Sequence, residues 1–379
     1  MYSQEDLNSA VQAGAISNEA ADALRAHVAS TRDAVPADAE HFRLITGFND
    51  IFVTIGVIIM LLAVGAIGQA IASGIWPMPQ WSEASGDAWW AENRSIRAIS
   101  QGMMLTFGAA MVAGTAWLLA EFFTRKRRMA LPSIILLLAF VGGVFATQLG
   151  GIMAWMESGA DRSETIGFLW AAAALLITAG FAWLHWRRFM VPITIAAGTA
   201  ALAGTAIALL LAAIGDNAGS METLLLSLVF VAGLAIFAFA MRWDMSDPQR
   251  ETRRSDVAFW LHLLAAPMIA HPIFALIGVT EGENIGAMAA VSVLAVYIAF
   301  GVLALAIDRR ALLVSALAYV LIALTFLFRE FGAVELNFAL TALVIGSALL
   351  TLSALWTPIR RAVVQGLPSD LKTRLPATA

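Results

Sequence analysis

Residues 50–74, DIFVTIGVIIMLLAVGAIGQAIASG, hold one ionisable side chain, Asp50, and it stands at the very start. A helix rises about 1.5 Å per residue, so a run of this length crosses the roughly 30 Å of hydrocarbon in a bilayer. Comparable runs recur at 100–122, 131–155, 166–186, 190–214, 223–241, 257–279, 286–307, 311–328 and 336–356. They predict an all-α, polytopic transmembrane bundle of about ten spans. Composition agrees: 60% of the 379 residues are hydrophobic and 13% charged, whereas a water-soluble domain is about 25% charged.

Basic residues fix the expected orientation. Arg25, Arg32, Arg43, Arg125, Lys126, Arg127, Arg128, Arg187, Arg188, Arg242, Arg250, Arg253, Arg254, Arg309, Arg310, Arg360, Arg361, Lys372 and Arg374 fall on one side. Only Arg94, Arg97, Arg162 and Arg329 fall on the other. The positive-inside rule makes the first side the cytoplasm, with both termini in it. The outer connections carry Glu83, Asp87, Glu92, Glu157, Asp161, Glu164, Asp216, Glu222, Glu281, Glu283, Glu330 and Glu335.

Three regions follow: 1–47, a cytoplasmic helical hairpin and linker; 48–358, the bundle; and 359–379, a cytoplasmic tail. Within 1–32, Ser3 can cap a helix bearing Leu7 and Val11 that Gly14 ends, and Ser17 a second bearing Leu24 and Val28. Residues 35–40, with Pro36, read as the linker. Residues 1–47 are polar and acidic, so the first span is expected to act as the insertion signal with no cleavable leader. A net charge of -4 speaks against a nucleic-acid partner. The absence of cysteine removes disulfides and thiolate metal sites.

A faint repeat is visible. Arg127-Arg128 is followed by Pro132, and Arg187-Arg188 by Pro192 at the same offset; Arg253-Arg254, Arg309-Arg310 and Arg360-Arg361 continue the series. Five stacked helical hairpins would produce this pattern. So would arginine doublets that merely anchor helix ends at one membrane face.

The stretch VQAGAISNEAADAL, leading through a linker to FNDIFVTIG, resembles uncharacterised bacterial predicted-membrane-protein families that open with a short cytoplasmic helical segment. RRSDVAFWLHLLAAP at 253–267 is similar to a block recurring in such proteins. The resemblance implies a bacterial inner (cytoplasmic) membrane and carries no established activity.

Ionisable groups within spans are costly, and deep ones are functional candidates. Asp50, Glu121, Asp256 and Asp308 lie near cytoplasmic boundaries, where hydration or local pairing is expected, and His185, at a cytoplasmic edge beside Arg187, is expected to be hydrated. Arg329 and Glu330 stand at an outer boundary. The seventh span is distinctive: Asp256, Trp260, His262, Pro267, His271 and Pro272 occur together. At about 100° per residue, His262 and His271 point to opposite faces of a straight helix, which argues against a shared metal or haem. A kink at Pro267 would change that angle, and a broken helix exposes backbone to a substrate. His262, His271, Asp256, Trp260 and Pro267 are therefore the candidate substrate or proton path; helix-to-helix bonding by the two histidines is the competing reading.

Trp76, Trp81, Trp89 and Trp90 in the first outer connection suit an outer-leaflet anchor. Gly142, Gly143, Gly150, Gly151, Gly198 and Gly204 suit close helix packing. Asn337, Thr341, Ser347, Thr351 and Ser353 are expected on the interior face of the tenth span. No phosphate-binding glycine loop, HExxH, paired cysteines or GxSxG elbow occurs, so no catalytic residue, metal or cofactor is expected. The functional expectation is a secondary transporter or flippase-like carrier of a small solute or lipid. The alternative is a non-transporting scaffold, sensor or accessory subunit whose N-terminal hairpin meets a protein partner; an intramembrane or lipid-modifying enzyme is third.

Overall fold

A backbone in hydrocarbon must satisfy its own hydrogen bonds, and this chain does so with helices alone among the described residues. The computed structural model describes residues 10–24, 26, 48–81, 86, 88–157, 163–214, 220–247, 250, 252–278, 287–330, 337–372 and 375. The expected Ser3 cap, Leu7, Val28, the 35–40 linker, and Glu83, Asp87, Asp161, Asp216, Glu281, Glu283 and Glu335 lie outside them, as do the side chains of Arg329, Glu330 and Asn337.

The longer helices are α1 (Phe48–Ile75), α2 (Arg94–Ala120, continued by a π-helical turn Glu121–Lys126), α3 (Ala130–Glu157), α4 (Glu164–Phe189) and α5 (Ile193–Ile214). They continue with α6 (Met221–Met245), α7 (Arg253–Leu276), α8 (Ala287–Ile307), α9 (Ala311–Glu330), α10 (Asn337–Ala354) and α11 (Trp356–Gln365). Helices α1 to α8 are each long and apolar enough to cross a membrane, which makes this a multi-pass membrane protein. Helix α9 has a shorter apolar stretch, and α10 meets α11 at a 74° bend. The expected tenth span thus ends at Leu355, where the chain turns sharply.

Consecutive helices pair as antiparallel hairpins: α2 with α3, α4 with α5, α6 with α7, and α8 with α9. Each closes at the basic end of the bundle on a non-glycine residue in the left-handed region: Arg128, Met190, Arg250 and Asp308, with φ of 53°, 56°, 57° and 57°. Helices α1 to α5 share one apolar core around Leu136, Leu137 and Phe140. Helices α6 to α9, with Trp356, share a second around Leu261, Phe274 and Val293. Trp260 packs against both.

The first half is built on close backbone approach. A methyl group on Gly102 would lie 2.5 Å from the Gly150 carbonyl oxygen, and one on Gly68 2.7 Å from that of Phe107. Gly143 similarly faces the Ala109 carbonyl, whereas Gly142 and Gly151 face open space. Three expectations fail in α10: Thr341 is buried opposite Thr325, but Ser347, Thr351 and Ser353 are exposed. The Ser347 hydroxyl donates to its own helix at Val344 O (3.0 Å), so it needs no interior partner.

In the N-terminal segment, the expected turn is present. Gly14 has φ +70°, and Ser17 Oγ accepts the Ala20 amide at 3.1 Å to cap helix 18–24. At the end of the bundle away from the basic turns, Trp76 packs on Phe107 of α2, and Arg97 lies 4.3 Å over Trp90 and 5.7 Å from Trp89. Trp81 and Trp90 are about half exposed, the placement an interfacial aromatic takes.

Candidate functional site

The seventh span was expected to carry a path along its length. Instead α7 runs unbroken from Arg253 to Leu276 through Pro267 and Pro272, and its two histidines part company, as their spacing requires on a straight helix. His271 is exposed, and its Nδ1 bonds the Tyr319 hydroxyl at 2.6 Å. His262 is only 2% exposed and faces a set of charges that come from elsewhere in the chain. Asp256 and Pro267 are exposed and Trp260 is half-buried, so of the candidate residues only His262 joins this site.

Its partner is Asp244, in the last turn of α6, which is 3% exposed. His262 Nε2–H donates to Asp244 Oδ2 at 3.0 Å. Arg309, the residue after the left-handed Asp308, turns back beneath the bundle and is 4% exposed. Its guanidinium grips the same carboxylate in a fork, Nε to Oδ2 at 3.1 Å and Nη2 to Oδ1. Nη2 also reaches the Ser255 hydroxyl (3.3 Å) and carbonyl (3.4 Å) at the start of α7. Two helices and the α8–α9 turn thus converge on one carboxylate, a geometry in which arginine is the natural bidentate donor.

A second layer closes the site. Arg250 Nη1 donates to Asp308 Oδ2 at 2.8 Å, and Nη2 caps the carbonyls of Ile307 and Asp308 at 3.2 Å each. Both residues of this pair are the left-handed residues of their turns, a conformation that costs about 1–2 kcal/mol for an ordinary side chain; the charge-assisted bonds between the turns offset it. Asp308 Oδ1 accepts the Trp356 indole N–H at 2.8 Å and lies 3.6 Å from Arg360 Nε. The Arg310 guanidinium covers the Trp356 ring at 4.5 Å, so α11 is pinned to the α8–α9 turn. Asp247 Oδ2 accepts from the Thr252 amide (3.0 Å) and hydroxyl (2.7 Å), which shapes the α6–α7 turn.

Asp244, Asp247 and Asp308 are matched in number by Arg250, Arg309 and Arg360, and Arg310 over Trp356 adds one further cation at the edge of the site. The ring of His262 is satisfied on one side only: its Nδ1 is buried without a hydrogen-bond partner. With Nε2 carrying the hydrogen toward Asp244, Nδ1 presents a lone pair.

The first half has a plainer counterpart. His185, expected to be hydrated, is 1% exposed among Trp117, Phe140 and Phe189. Its Nδ1 meets Thr194 Oγ1 at 3.3 Å, and Nε2 has no partner. Asp50 is buried, at 4% exposure, although its neighbours Phe48 and Phe52 in the first turns of α1 are exposed. Glu121 behaves as expected: it is part exposed and paired with Arg188 (2.7 Å) and Arg125 (3.3 Å).

Asp244, Asp247, Arg250, Arg309, Trp356 and Arg360 form most of the site and were not candidates from the sequence, whereas Asp308, expected to be hydrated or locally paired, is paired with Arg250. Acidic residues on the otherwise basic face, Asp244, Asp247 and Asp308, were the available signal. Among the described residues no group of three His, Cys, Asp or Glu side chains converges as a metal would require. No protein-family model, curated protein or solved structure matches the chain.

Proposed function

We propose that the chain is a proton-coupled secondary carrier of the bacterial inner membrane, crossing it ten times with both termini in the cytoplasm and moving a small solute or lipid. The observation that carries this reading is the unpartnered Nδ1 of His262, buried beside the Asp244–Arg309 pair. Buried acid–histidine pairs within membrane helices are the usual material of proton relays.

Proton uptake at Nδ1 adds one positive charge to the cluster. Protonated His262 and Arg309 then compete for the single Asp244 carboxylate. Because that carboxylate joins the α6–α7 hairpin to the α8–α9 turn, weakening its hold on Arg309 lets the two hairpins move against one another, which is the motion alternating access needs. His262 stands about 13 Å along α7 from its first residue, within reach of the basic face.

The test is proton movement in liposomes containing the purified full chain, with a pH-sensitive dye inside, an imposed pH gradient and a panel of small solutes. Solute-dependent movement is expected in the wild type and in His271→Ala, and is expected to vanish in His262→Gln. Glutamine can still donate to Asp244, so the fold survives while the protonatable nitrogen is gone. Movement unchanged in His262→Gln overturns the role of His262, and none with any solute in the wild type overturns the carrier.

A scaffold or accessory subunit is the second reading, supported by α10. That helix packs mainly on α9 and leaves Leu343, Val344, Leu349 and Leu350 exposed, a face suited to a partner helix as well as to lipid.

A further inference from the structure

Between α1 and the end of α2 runs an apolar groove of about 370 Å³, lined by Phe52, Val53, Gly56, Ile59, Leu119 and Phe123 among others. It extends from Phe52 to Met60, about 12 Å of helix, close to the depth of hydrocarbon in one leaflet. Gly56 forms part of its floor: a side chain there would meet nothing within 4 Å. The groove therefore owes its depth to a missing side chain, while Phe52, Ile55 and Ile59 stand out around it at 72%, 53% and 61% exposure.

What lies at its end distinguishes it from ordinary lipid-facing surface. Two residues past Phe123, the π-helical turn and the residues after it carry Arg125, Lys126, Arg127 and Arg128. All four are exposed. Arg125 is shared with Glu121 and Arg127 lies 5.5 Å over the Phe122 ring; Lys126 and Arg128 form no ion pair among the described residues. π-Helical turns are rare and occur frequently at functional sites.

We propose that this is a binding site for a diacyl phospholipid with an anionic headgroup: one acyl chain lies over Gly56 in the α1–α2 groove, and the phosphate meets Lys126 and Arg128. A neutral lipid satisfies only the groove and a free anion only the charges. The site is independent of the carrier reading, since it shares no residue with the His262 cluster.

The test uses the full chain in mixed bilayers with spin-labelled phosphatidylglycerol or phosphatidylcholine of equal chain length, reading the immobilised lipid fraction. Phosphatidylglycerol is expected to be retained preferentially. Removing both charges in Lys126→Gln/Arg128→Gln should cut that preference by about fivefold per charge. Gly56→Leu, which fills open space and leaves the fold intact, should lower retention of both lipids and leave their ratio nearly unchanged. Equal retention of the two lipids by the wild type, or a preference that Gly56→Leu leaves at full occupancy, overturns the proposal.

Discussion

At the basic end of the bundle, the α2–α3 turn keeps its charges outside, with Glu121, Arg125 and Arg188 paired at the surface. The α6–α7 and α8–α9 turns take theirs inside, where Asp244 and Arg309 are almost wholly buried. Both regions join helical hairpins through a left-handed residue, yet they are held together differently. In the first half, Gly68, Gly102, Gly143 and Gly150 bring backbones into contact, where the second half has one comparable approach among the described residues, at Gly233. In the second, side-chain pairs bridge the hairpins, and a buried pair, once made, is costly to leave half made. The first half should therefore be sensitive to size and the second to charge.

The largest effect is expected from Asp244→Asn, which leaves Arg309 buried without its counter-ion. Breaking a buried pair in this way costs about 3–5 kcal/mol. Thermal unfolding of the purified chain in detergent should show a large drop in midpoint. The double variant Asp244→Leu/Arg309→Met should recover much of the loss, because neither charge is then stranded. Failure of that recovery would mean that the triad serves packing more than charge.

Trp356→Phe comes next. It keeps the ring beneath Arg310 but removes the indole hydrogen bond to Asp308, a bond to a charged group worth about 1.5–3 kcal/mol. The amphipathic α11 should loosen first, which trypsin cleavage at the exposed Arg361 would report before global unfolding.

Much of this division can be traced in the sequence, and the untraceable part has a definite cause. Run lengths place helices at all ten expected positions. Gly14 and Ser17 mark a real turn and cap, and the nine-residue spacing of His262 and His271 separates their environments as helical geometry dictates. The charge cluster is hidden because linear position puts Asp244 and Arg309 at a helix end, where water is expected. What carries Arg309 inward is the left-handed conformation of Asp308, and no glycine announces it. The proline signal misleads in the opposite direction: Pro267 is exposed on a helix that continues past it, so the broken-helix geometry it suggested is not present.

Size sensitivity in the first half is tested by Gly102→Ala, where the new methyl would meet the Gly150 carbonyl at 2.5 Å. Separating α2 from α3 to admit it should cost about 1–3 kcal/mol. Gly142→Ala, forty residues on and facing open space, should leave the unfolding midpoint unchanged. Equal effects from the two would show that helix propensity, not close approach, governs the response.

The smallest effect should come from Glu121→Gln. This carboxylate holds both Arg188 and Arg125, and on a diagram it is as well connected as Asp244. Its surroundings decide otherwise: the side chain is 30% exposed and its partners 41% and 53%, so water and salt already screen the attraction, and loss of the charge strands nothing in a dry interior. The unfolding midpoint should stay within error of the wild type at low and high salt alike. A drop approaching that of Asp244→Asn would show that charge holds the first half as well, and the contrast between the halves would then rest on glycine packing alone.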